Sequence, residues 1–220
     1  MTELEWQDRA FADEWVARDV LKDLLDLPRR IASVVVGHDR RPRRIADIGS
    51  GPGDFLARFL DDFPTAQGIW TDASDAMRDT AQDRLARFGD RVDYRIVYME
   101  DLSPVPDGLD VLLTSRATHH LTRDALYAFY AAAAAKLDPG GWVINLDHVD
   151  VEDKWEDRLK SARRTLIPPS PRPGEHPHRH DHPRPTAADH LDALRHAGLG
   201  DVAMPWCSFV TCLFMARAAG

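Results

Sequence analysis

Apolar residues recur at helical spacing from the start of the chain. Over residues 3–27, Leu4, Trp15, Val16, Val20, Leu21, Leu24 and Leu25 fall on one stripe, which predicts an amphipathic helix or two. Pro28 is expected to restart a helix, because proline fits a first helical turn, and Gly37 to cap its end. The pattern then changes to short apolar runs alternating with helical stretches. Strands are predicted at residues 44–48, 68–71, 92–98, 109–114 and 142–146. Between them, helices are expected at 54–62, from the cap Ser74 to near Gly89, and from the cap Thr122 to Leu137. The last of these is expected to stop at Pro139-Gly140-Gly141. Such alternation argues for a parallel sheet with helices on both faces.

After the fifth strand the rhythm breaks. Residues 151–166 read as a helix, 167–185 as a Pro- and His-rich loop, and a helix capped by Thr186 runs to His196. Two β-prone runs, "VAMPW" and "FVTCLFMA", close the chain. A loop of that length between two good helices reads as a functional segment rather than a plain connection. The expectation is an α/β, Rossmann-like doubly wound sheet of about seven mostly parallel strands with an N-terminal helical lid. The lid covers 1–41 and one domain covers 42–220.

Charge and cysteine content narrow the partners. A net charge of -8 disfavours a nucleic-acid surface, which needs a basic excess. Two cysteines, Cys207 and Cys212, argue against a disulfide framework and fit a reducing compartment. Read as lying on one strand an odd number of residues apart, they are expected on opposite faces. The N-terminus has no signal-peptide core, and no apolar run reaches the roughly 18 residues of a membrane span. The expectation is a soluble cytoplasmic protein, a monomer or homodimer, with no nucleic-acid or membrane partner.

The chemistry concentrates in "IADIGSGPGDF", residues 45–55. Glycine turns after a first strand bring backbone close to a ligand. A dinucleotide turn reads G-x-G-x-x-G and leaves a helix N-terminus open to pyrophosphate. Here the spacing is Gly49-x-Gly51-x-Gly53, and Asp54 stands where the third dinucleotide glycine belongs. Its carboxylate would repel a pyrophosphate. A zwitterionic methionine moiety has no such conflict, and Asp47 supplies an acid for its ammonium group.

This motif resembles the first motif of class I S-adenosylmethionine-dependent methyltransferases. "GIWTDASDAM", "YMEDL", "DVLLTSRATHHL" and "LDPGGWVINLDHV" are similar to the later motifs, in order. The resemblance runs from about Pro42 to the C-terminus and implies S-adenosylmethionine as cofactor. It implies donor contacts from Asp47, Gly49, Ser50, Gly51, Gly53 and Ser115. Asp72, 19 residues after Gly53, would accept both ribose hydroxyls, or else only cap a helix. Ala73 and Met77 would line the adenine, with Met77 equally suited to the core. Tyr98 stands where the family often has an acid; Glu100, Asp101 or the Met99 backbone would substitute.

Transfer from a sulfonium mainly needs alignment and removal of the acceptor's proton. Ligands of open α/β sheets bind at the C-terminal strand edge, where His119, His120 and His148 fall. In related small-molecule enzymes, such as the phosphoethanolamine type, the histidine before a leucine here is the base. That match ranks His120 first, His119 second and His148 third. Arg116 either meets an anionic group on the acceptor or pairs with a lid acid such as Glu14. Trp15 either closes over the donor or is a buried structural residue. The histidines of "HPHRHDHP", His178 among them, show no closed ligand spacing, so no metal is expected and the loop is placed over the acceptor. The leading function is methyl transfer to an oxygen or nitrogen of a small molecule. An RNA or protein methyltransferase, or a non-catalytic S-adenosylmethionine-binding regulator, is the alternative.

Overall fold

The structure, a computed structural model, describes residues 8–10, 22–167 and 182–220. Seven strands form one sheet in the order β3-β2-β1-β4-β5-β7-β6. Strands β1 (Arg44–Ile48), β2 (Gln67–Asp72), β3 (Val92–Ile96), β4 (Leu109–Ser115) and β5 (Leu137–His148) are parallel. The antiparallel hairpin of β6 (Gly200–Ser208) and β7 (Thr211–Arg217) closes the sheet against β5. The order reverses between β1 and β4, so the crevice of the sheet opens beside the glycine turn.

The period-2 alternation of the strands builds two cores. Ile45, Trp70, Leu113, Ile144 and Leu146 pack on α1 (Lys22–Asp39), α2 (Asp54–Asp62) and α3 (Asp75–Leu85). Ala46, Ile48, Leu112, Val143 and Phe214 pack on α4 (Arg123–Ala135) and α6 (Ala187–His196) on the other face. Helix α5 (Asp153–Leu166) buries no residue and lies outside both. Among the described residues, no helix is long and apolar enough to cross a membrane.

Four expectations change. Pro28 does not start a helix but sits inside α1, whose stripe of Leu25, Ala32 and Val36 is fully buried on either side of it. Packing of that stripe outweighs the one backbone donor that proline lacks. Gly37 is no cap; the helix runs on to Asp39, and a Cβ at Gly37 would lie 3.4 Å from the Phe63 ring. Helix α4 ends at Ala135, and β5 pairing already begins at Leu137, with a register shift before Val111. Gly141 lets two carbonyls pass, since a Cβ there would stand 2.9 Å from the oxygens of Asp138 and Leu109. Finally, Cys207 and Cys212 are on different strands, directly paired across the hairpin and joined by a disulfide. The turn between them uses Phe209 at φ 54, a conformation that glycine or asparagine normally signals.

Candidate active site

The glycine turn is held by its surroundings on every side. Gly49, Gly51 and Gly53 have φ of 63, 54 and 85°, all left-handed. A Cβ on Gly49 would lie 2.8 Å from Ala117 Cβ, and one on Gly53 2.8 Å from Leu85 Cδ1. The Ser50 amide donates to the Thr71 carbonyl at 2.8 Å, and Trp70 Nε1 donates to the Gly51 carbonyl at 2.8 Å. The turn is therefore pinned to β2 before any ligand arrives.

Two carboxylates face this turn. Asp72 accepts from the Gly51 amide at 2.9 Å and from the Ser74 amide at 3.0 Å. A carboxylate has about four lone-pair sites, so this capping role and acceptance from ribose hydroxyls are compatible. Burial pushes the Asp72 carboxyl above the usual carboxylate range. Asp47 is 1% exposed; its Oδ2 accepts from Ser50 Oγ at 2.7 Å and from the Leu56 amide at 3.2 Å. Its Oδ1 is buried without a partner among the described residues. Burial raises the Asp47 carboxyl to about 7, against those hydrogen bonds and the Arg29 charge. Arg29, 5% exposed on α1, is itself buried with an unpartnered Nε. An orphaned carboxylate oxygen at the turn, with an orphaned guanidinium nitrogen on α1 whose charge reaches it, suits a ligand carrying an ammonium and a carboxylate. These residues fit the amino-acid end of S-adenosylmethionine.

The other residues expected at the donor are distributed as follows. Ser115 Oγ donates to the Leu146 carbonyl at 3.3 Å. Met77, on α3, is 1% exposed in the core, while Ala73 is half-buried. Met99 packs on the α4-side core and its sulfur lies 3.8 Å from a Cβ built on Gly49. Glu100 is exposed, and Asp101 Oδ1 accepts from the Ser103 amide at 2.9 Å. Trp15 and His178, with Glu14, lie outside the described residues.

The histidines converge after β4. Residues 118–120 form a single 3₁₀ turn. The His119 and His120 rings are 4.1 Å apart between centroids, and the His119 and His148 rings 5.4 Å. His119 is 4% exposed, and its Nδ1 donates to Asp147 Oδ1 at 2.6 Å. Asp147 is fully buried and also accepts from Thr118 Oγ1 at 2.6 Å and from the amides of Ala117, His119 and His148. Burial alone would raise its pKa; the His119 and His148 charges and these donors hold it far below the carboxylate range instead. His148 Nδ1 meets Thr211 Oγ1 at 2.9 Å. Burial, the neighbouring His119 and the Arg116 and Arg184 guanidiniums push His148 down to about 3. Arg116 has φ 53, and its amide donates to the Leu146 carbonyl at 3.0 Å. His182, from the end of the Pro/His loop, donates through Nε2 to the His120 carbonyl at 3.0 Å. Among the described residues no cluster of three or more metal-ligating side chains occurs, and both cysteines are in the disulfide.

The sequence pointed to the edge but not to the pair. The Asp147 side chain turns to His119, 28 residues earlier, across the paired ends of β4 and β5. The available signal was two polar residues, Asn145 and Asp147, on one face of an otherwise apolar strand. Trp70 and Arg29 carried no comparable mark.

A switch-point glycine turn, an acid at the end of β2 and a histidine-lined strand edge define an α/β fold built to bind a donor such as S-adenosylmethionine. Residues 45–141 match the methyltransferase domain family. A malonyl-[acyl-carrier protein] O-methyltransferase of Geobacter sulfurreducens is 29% identical over 66% of this chain and 52% of its own length. An O-methyltransferase family protein of Burkholderia thailandensis superposes with a TM-score of 0.71 at 19% identity, covering 96% of this chain and 59% of that one. Human N-acetylserotonin methyltransferase, solved in complex with S-adenosylmethionine, gives a TM-score of 0.66 at 15% identity, over 98% and 58% of the two chains. Residues 45–141 thus carry a methyltransferase domain match, and the fold is that of S-adenosylmethionine-dependent methyltransferases. The chain spans about half the length of the curated relative.

Proposed function

We propose that the chain methylates an oxygen of a small-molecule acceptor, with His119 as the group that takes the acceptor's proton. S-adenosylmethionine would supply an already activated methyl group. Asp47 and Arg29 would hold its ammonium and carboxylate, Asp72 its ribose hydroxyls, and the glycine turn its backbone-facing side. The observation that carries the reading is the buried His119–Asp147 pair beside that turn. A carboxylate cannot donate, so the shared proton sits on Nδ1, and the unshared pair lies on Nε2. This favours His119 over His120, which the local motif ranked first. Oxygen is favoured over nitrogen by the O-methyltransferase relative.

The test is mass detection of product with an isotopically labelled methyl donor and a panel of hydroxylated acceptors. His119→Ala should lower kcat by about 10²–10⁴ while donor affinity stays within about twofold. A second reading, methylation of a carboxylate, is favoured by the malonyl relative and by Arg116 at the strand edge. A carboxylate has no proton to lose, so His119→Ala would then keep a near-normal rate.

A further inference from the structure

The pair His119–Asp147 is the visible end of a longer buried chain. Thr118, Asn145 and His190 are all fully buried, as is Tyr130. Asn145 Nδ2 reaches both Thr118 Oγ1 and Tyr130 Oη at 2.7 Å, and Tyr130 Oη meets His190 Nδ1 at 2.8 Å. The alternation of β5 puts Asn145 and Asp147 on the same face, toward α4, which carries Tyr130, and α6, which carries His190.

Every proton in this chain has a determined position. Asp147 can only accept, so Thr118 spends its one hydrogen on Asp147 Oδ2. Thr118 must therefore accept from Asn145, which orients the amide with Nδ2 inward. The second hydrogen of that amide goes to Tyr130 Oη, and Tyr130 in turn donates to His190 Nδ1. A second contact, Asn145 Nδ2 to His190 Nδ1 at 3.5 Å, agrees, because two donors would repel there. The reverse arrangement would strand the tyrosine hydrogen as well as leave His190 Nε2 unpaired. Burial pushes His190 down to about 4, which keeps it neutral and able to accept. Asn145 Oδ1 and His190 Nε2 are left buried without partners among the described residues, so the chain is not an arrangement that stability alone would select.

We infer that Thr118, Asn145, Tyr130 and His190 are positioning residues: a one-directional hydrogen-bond chain, running from α6 along one face of the sheet to the turn after β4, that holds Asp147 ionised and keeps His119 protonated on Nδ1. The inference rests on the reading of His119 as the base.

Nitrogen-15 spectra of imidazole-labelled protein test it without any turnover, with His119→Gln and His190→Gln identifying the two signals. The expected wild-type pattern is His119 protonated on Nδ1 and His190 on Nε2. A proton on His190 Nδ1 overturns the chain's direction and the inference with it. Thr118→Val should then lower kcat about 10- to 100-fold at unchanged donor KM, and populate the other His119 tautomer; Thr118→Ser should restore both. Tyr130→Phe, which breaks two links further out, should lower kcat about 3- to 10-fold. If His119→Ala is slow while Thr118→Val and Tyr130→Phe keep the wild-type rate and tautomer, the chain fails and the base stands. If His119→Ala is itself as fast as wild type, the base reading fails.

Discussion

Asp72 shows how one carboxylate can serve fold and ligand together. It ties the Gly51 amide to the start of α3 through the Ser74 amide, and still has lone pairs for two hydroxyls. Asp72→Ala should weaken S-adenosylmethionine binding by about 1–3 kcal/mol, measured by calorimetry, with the fold retained by circular dichroism. An unchanged affinity would leave Asp72 as a cap alone. The candidate donor residues are legible because each follows from local spacing: three glycines that need positive φ, then an acid at the end of the next strand. The proposed base is not. His120 has the better local motif, but the proposal for His119 rests on its carboxylate partner, and Asp147 joins His119 only through the pairing of β4 with β5. Arg29 is obscured for the same reason, as nothing in its own helix marks it as the cation whose charge reaches Asp47.

Among the elements, the two turns at the edge of the sheet are mechanically one unit. Gly49, in the donor turn, and Ala117, in the histidine turn, are so close that a Cβ on the former would stand 2.8 Å from the Cβ of the latter. Gly49→Ala should therefore lower stability by about 1–3 kcal/mol in denaturant titration, combining the positive-φ penalty with the clash, and reduce donor affinity and kcat together. Adding Ala117→Gly should recover the clash portion but not the φ portion. Full additivity of the two changes would show that the turns do not touch. The strands and helices of the sheet were readable from alternation, since β1, β2, β4 and β5 each carry an apolar face on both sides. What escaped was set by tertiary contacts: α1 continuous through Pro28, and a β6–β7 turn built on Phe209 without glycine or asparagine. Missing that turn put both cysteines on one strand, and hence on opposite faces.

On the scale of the whole molecule, three buried titratable groups give stability a pH dependence with a checkable sign. His148 and His190 are pushed down to about 3 and about 4. The unfolded chain takes up a proton at each below about 6.5, and the folded chain does not, so their contribution is intact above that value and is lost as pH falls. Asp47 acts in the opposite sense. With its carboxyl at about 7 in the fold and 3.8 as the reference, the folded chain holds a proton that the unfolded chain has released, so its contribution is present at low pH and is lost as pH rises through about 7. Between roughly pH 6 and 4.5 the unfolded state gains two protons on the histidines and the folded state one on Asp47. The free energy of unfolding should fall by about 1.4 kcal/mol per pH unit on acidification in that window. Asp147 and the other paired carboxylates contribute only below it, because their shifts are downward from 3.8. Asp72, raised by burial, works with Asp47 and makes the slope shallower. Asp47→Asn removes the opposing proton, so urea titrations across this range should steepen toward about 2.7 kcal/mol per unit. Saturating S-adenosylmethionine, whose ammonium favours ionised Asp47, should steepen the wild-type slope in the same direction and do nothing further to the slope of Asp47→Asn. A wild-type slope that ignores both the substitution and the donor would mean that the Asp47 carboxylate does not face the donor's ammonium group.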